Sequence, residues 1–110
     1  MRPEIERWFL QSKEELDTAR VNFEAGKWFA AAFWMQQAVE KALKAIYLFT
    51  KKESPGTTHS LPFLGREVSA PLEFSHLLRD LTKEYYLSRY PDASEDVHFK
   101  FIPKMMLKDI

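Results

Sequence analysis

Apolar side chains return at three- and four-residue intervals along most of this chain, the spacing that places them on one side of a helix. From Pro3 to about Glu24 the stripe is Ile5, Trp8, Phe9, Leu16, Ala19 and Phe23, with Lys13, Glu14, Asp17 and Arg20 largely opposite. Pro3 suits a first helical turn, where a missing donor costs nothing, and Gly26 can take the left-handed conformation that ends a helix. A second helix is predicted from about Lys27 to Lys51. It carries Trp28, Ala31, Ala32, Met35, Val39, Ala42, Leu43, Ile46 and Phe49 on a broad apolar face. Its many alanines favour the helix and leave room for a neighbour to approach closely. The turn at Ala25 and Gly26 is short, so these two helices form an antiparallel hairpin.

The stretch from Lys51 to Ser60 holds Ser54, Pro55, Gly56, Thr57 and Thr58 and reads as a loop within the domain. A short helix follows over Leu61 to Val68, capped by Ser60 or Thr58, with Leu61, Leu64 and Val68 inward. From about Pro71 to Ser88, Leu72, Leu77, Leu78, Leu81 and Tyr85 again keep helical spacing. Pro91 disfavours a helical Tyr90 and stops the helix near Arg89. Beyond it, at most a short helix over Lys104 to Ile110 is expected. The fold class is therefore all-α: an up-and-down antiparallel bundle of four to five helices, the last short or truncated. With 110 residues, the whole chain 1–110 makes one domain around one core.

Composition narrows the chemistry. Sixteen basic and sixteen acidic residues cancel, so no global field draws the chain to nucleic acid or anionic membranes, and a nucleic-acid site must be a local patch. The absence of cysteine removes disulfides, thiolate metal sites and cysteine nucleophiles. No apolar run approaches bilayer length and the start has no signal-peptide pattern, which places the chain in the cytoplasm and off the membrane. The three glycines stand apart, so no phosphate loop exists and no cofactor is expected. Glu73 and His76 form a single Glu-x-x-His, short of the paired motifs and extra glutamates of a carboxylate-bridged metal site, and no metal is expected.

Three groups of residues remain as candidates. Gln36, Glu40 and Lys44 lie four apart on one line of the second helix, beside Gln37 and Lys41. Read alone they form a solvated stripe with a Glu40–Lys44 pair, although amides and amines can also meet bases and phosphates. Arg89, Tyr90 and Asp92 flank Pro91 at a helix end, where an arginine suits phosphate and a phenol suits base stacking. Histidines 59, 76 and 98 are acid–base candidates only if the fold brings another polar group to them.

Trp8, Ala19, Gly26, Trp28, the run from Gln36 to Ala45, Thr58-His59-Ser60-Leu61 and Arg89-Tyr90-Pro91-Asp92 together resemble a HEPN domain. That resemblance implies a helical bundle that dimerises, often beside a small nucleotidyltransferase partner protein, with nucleotide or RNA binding. The ligand residues it points to are Gln37, Lys41, Lys44, His59, Arg89, Tyr90 and Asp92. Some members of the family are ribonuclease toxins of toxin–antitoxin systems, with an arginine followed after four to six residues by a histidine. Here Arg89 and His98 are separated by eight residues, so that motif is not met and the binding reading ranks above catalysis. If the chain is a nuclease, Arg89 and His98 are its catalytic pair, acting without metal. A third reading is an oligomerisation module without ligand. The resemblance also expects a substantial helix beyond Ile110. Its absence either leaves faces bearing Phe99, Phe101, Met105, Met106 and Leu107 to be covered, which favours a homodimer, or marks an incomplete gene product.

Overall fold

The computed structural model describes residues 2–89, with side chains through residue 83. Its first helix, α1 (Pro3–Glu24), starts on Pro3 and carries Glu4 and Glu6 in the first turn, where negative charge suits the positive helix end. It ends in a Schellman turn: the Gly26 N–H donates to Phe23 O at 3.0 Å and the Lys27 N–H to Asn22 O at 2.8 Å, with Gly26 at φ 75°. The rings of Phe23 and Trp28 pack edge to face across this turn, centroids 5.3 Å apart, and fix the angle of the next helix. That helix, α2 (Trp28–Lys51), runs back along α1, and the two form the most extensive helix contact in the described fold. Ala19 of α1 and Ala31, Ala32, Ala38 and Ala45 of α2 are buried there. The approach is close enough for the Ser12 hydroxyl to donate to Ala38 O at 2.7 Å.

Both expected caps of the third helix, α3 (Leu61–Glu67), act in series. Thr58 Oγ1 accepts from the Ser60 N–H at 3.1 Å, and Ser60 Oγ accepts from the Phe63 N–H at 3.3 Å. A third donor at this helix start, the Leu61 N–H, reaches Thr82 Oγ1 at 2.9 Å and so ties α3 to the last described helix. That helix, α4 (Ser75–Arg89), is preceded by a 3₁₀ turn at Leu72–Phe74. Leu61, Leu64, Leu78 and Leu81 join Ala19, Met35, Leu43 and Tyr47 in the main core, so each of the four described α-helices contributes to it. A smaller cluster of Ile5, Ala45 and Leu48, with Trp8 and Phe9 against it, closes the other part of the α1–α2 hairpin.

Three expectations from periodicity change. Phe49, placed on the apolar face of α2, is 59% exposed, because Ala45 and Leu48 take the inward positions of that turn. Leu72 is 88% exposed: the 3₁₀ turn breaks helical register before Ser75, so its spacing to Leu77 no longer sets its side. The line Gln36, Glu40 and Lys44 is interior and not solvated, as described below. The expected helix over Lys104 to Ile110 and the apolar faces of the tail lie outside the described residues.

The turn after α3 also repeats the Schellman pattern, with Ala70 N–H to Gly65 O at 2.8 Å and Ser69 N–H to Arg66 O at 3.1 Å. Here the left-handed residue is Ser69, φ 58°, and not glycine. Left-handed backbone costs a side-chain-bearing residue roughly 1–2 kcal/mol, partly offset in glycine by the larger entropy it loses on folding. Ser69→Gly is expected to stabilise the fold by about 0.5–1 kcal/mol, read as a higher urea midpoint with unchanged slope.

Candidate functional site

The apolar stripe of α1 has a gap between Phe9 and Leu16, filled by Gln11, Ser12 and Glu15, of which Glu15 reaches Lys41 beside the polar line of α2. Gln11 Nε2 donates to Glu15 Oε2 at 3.0 Å, and Lys41 Nζ lies 2.8 Å from each Glu15 carboxylate oxygen. Lys41 also donates to Gln37 Oε1 at 3.3 Å, and Gln37 Nε2 to Gln36 Oε1 at 3.0 Å. Gln36 Nε2 then donates to Glu40 Oε1 at 3.1 Å and to the backbone carbonyl of His59 at 3.3 Å. Eight side chains from α1, α2 and the loop before α3 are joined when His59 and Lys44 are added at the far end of this chain of bonds.

Gln36 is completely buried, and Glu40 and Lys44 are each 5% exposed. Buried polar groups of this kind are tolerable only when paired, and these are. Glu40 accepts from Lys44 Nζ at 2.9 Å through one oxygen, and through the other it meets His59 Nδ1 at 2.9 Å. Burial opposes the charge on Glu40, but the hydrogen bonds of His59, Lys44 and Gln36, with the Lys44 charge, outweigh it and hold the carboxyl below its ordinary value of 4.5. The Lys44 ammonium also lies 5.9 Å from the centre of the Trp8 ring, which places a π face of α1 over the charge. The Glu40–Lys44 pair is therefore the one expected from spacing, but it sits inside the bundle.

His59 is held at two points, by Glu40 at its ring and by Gln36 at its carbonyl, while its side chain stays 43% exposed. A carboxylate against Nδ1 selects the tautomer and fixes the ring, as supporting carboxylates do for metal-bound and catalytic imidazoles. The loop before α3 is thus tied to α2 by polar contacts as well as by the Leu61 and Leu64 core.

Of the ligand residues expected from the sequence, Gln37, Lys41, Lys44 and His59 are brought into this one network. Arg89 is the last residue of α4, and its side chain is outside the described set. Tyr90, Asp92 and His98 lie outside the described residues. Periodicity alone does not single out Glu15 and Gln11; the signal for buried Glu15 is a polar residue interrupting the apolar stripe of α1. Among the described residues no group of three or more His, Cys, Asp or Glu could hold a metal. No helix among them is long and apolar enough to cross a membrane.

Beside the network, where Lys41 reaches the surface, a cleft of about 420 Å³ is lined by Glu4, Arg7, Trp8, Gln11 and Lys41. It combines the Glu4 carboxylate, the Arg7 guanidinium, the Trp8 indole and the Gln11 amide along the first part of α1. Lys41 contributes its stem more than its charge, which Glu15 already neutralises.

No curated protein and no solved structure is significantly similar to this chain. The HEPN domain model matches residues 5–103, a span that contains every described α-helix except the first two residues of α1 and includes the whole interior network, and the chain belongs to the HEPN domain family.

Proposed function

We propose that this chain is a nucleotide- or RNA-associated binding module that works as a homodimer and has a nucleotidyltransferase as its partner protein. The observation that carries the ligand reading is the α1–α2 cleft. Arg7 supplies a cation for phosphate, Trp8 a ring on which a base can stack, and Gln11 an amide for a base edge. The interior network supports the site from behind: Glu15 fixes both Gln11 and Lys41, and Lys44 backs the Trp8 ring. On this reading Lys44 positions the site and does not touch the ligand, and Arg89 is a further phosphate-binding candidate from the sequence. The family assignment supports a nucleotide- or RNA-related role at the same coarse level.

Calorimetry with mononucleotides and a short single-stranded RNA tests this. Binding is expected, weakened about tenfold by Arg7→Ala, an exposed residue whose loss spares the core, on the scale of one base-stacking or phosphate contact. Absence of binding, or affinity unchanged in both Arg7→Ala and Arg89→Ala, overturns the site. A monomer in sedimentation at micromolar concentration overturns the homodimer. RNA cleaved without added metal by the wild type but not by His98→Ala would make the chain an enzyme instead.

A further inference from the structure

A second groove, of about 360 Å³, runs between α3 and α4 and shares no lining residue with the α1–α2 cleft. Its floor exists because Gly65 lacks a side chain: a Cβ there would stand 2.5 Å from Leu78 Cδ1, so the glycine lets α4 seat its leucine directly on α3. Pro62 and Pro71 stiffen the walls, and Leu72, 88% exposed, holds an apolar side chain out to water at the groove. Arg66 from α3 and Arg79 from α4 line it as well, and no acidic residue is among its described lining. Neither guanidinium has a carboxylate partner among the described residues, so both charges are available at the groove.

We propose that this groove docks a partner protein through a short acidic segment with one apolar anchor. The anchor fills the floor against Leu78 and Leu72, and flanking carboxylates pair with Arg66 and Arg79, for which bidentate geometry is available. The charge of the groove calls for an anion, and its walls decide which kind. They are aliphatic, with no aromatic ring among the described lining residues to stack a base, so a nucleic acid would engage the arginines and leave the apolar surface wet. A peptide uses both, and a volume near the lower end for ligand pockets suits one large side chain. Walls set by proline and a helix pair need little ordering on binding.

Fluorescence anisotropy on the full chain tests the docking. The probe is a fluorescein-labelled peptide with one leucine flanked on each side by aspartates; comparison probes replace the aspartates by lysines, or the leucine by serine, and a labelled single-stranded RNA is the last. The aspartate–leucine peptide is expected to bind, and the combined Arg66→Glu and Arg79→Glu variant to weaken it at least about tenfold. The serine peptide is expected to bind more weakly and the lysine peptide not at all. Arg7→Ala, in the other cleft, leaves peptide binding intact, so failure here is distinct from failure of the nucleotide site. No binding of the aspartate–leucine peptide, equal binding of the lysine peptide, or indifference to the double charge reversal overturns the proposal. So does RNA binding that the same charge reversal abolishes, which would assign the groove to nucleic acid.

Discussion

Replacing Glu40 by alanine is expected to lower folding stability by about 3–5 kcal/mol, the usual consequence of removing one member of a buried ion pair. Among the described residues the Glu40 carboxylate is the acceptor for the Lys44 ammonium, and it also takes bonds from Gln36 and His59, so its loss leaves a buried ammonium without its counter-charge and removes two further contacts. A urea denaturation midpoint at neutral pH measures the loss. The Lys51–Glu67 pair, with its side chains 37% and 38% exposed, is the control, and Glu67→Ala should cost no more than about 1 kcal/mol. Combining Glu40→Met with Lys44→Met should recover much of the deficit, because neither buried charge is then left alone. If Glu40→Ala alone stays within 1 kcal/mol of wild type, the pair contributes little and the interior description of it is wrong.

The same residue sets an acid limit. The folded-state pKa of Glu40 is depressed, so its contribution is complete above the ordinary value of about 4.5 and is lost as pH falls through the lower folded value. Wild-type midpoints should therefore fall more steeply below pH 4.5 than those of Glu40→Gln, which has no charge to lose. Parallel acid profiles for the two proteins would remove the charge from the explanation.

Leu81→Ala is expected to cost about 2–5 kcal/mol, and Leu72→Ala less than about 0.5 kcal/mol. Both leucines keep the same helical spacing in the sequence, yet Leu81 is 1% exposed and Leu72 is 88% exposed. Leu81 lies where α4 meets the core built by Met35, Leu43, Leu61 and Leu64, and truncation leaves a void that neighbours on α2 and α3 cannot close together. Since a small domain has only about 5–15 kcal/mol to lose, the variant should be partly unfolded at elevated temperature, read by helical circular dichroism. Equal costs at the two positions would mean that Leu72 is covered in solution.

The sequence alone determined the helices, because a helix reports itself through local spacing and local terminators. Pro3, Gly26, Thr58, Ser60 and Pro62 each act on their own backbone neighbourhood: α1 starts on Pro3 and stops two residues before Gly26, α2 starts two residues after it, and α3 starts directly after Ser60. The Glu40–Lys44 pair was legible for the same reason, being four residues apart on one helix. Its environment was not. Whether a polar line on α2 faces water depends on what another segment sets against it, and Glu15, Trp8 and His59 arrive from 19 to 36 residues away along the chain only when α1 folds back and the loop before α3 crosses over. Periodicity says which residues share a face. Only the tertiary structure decides that this face is closed, that its charges must be paired, and that Arg7, Trp8 and Gln11, rather than Lys44, are left facing a cleft.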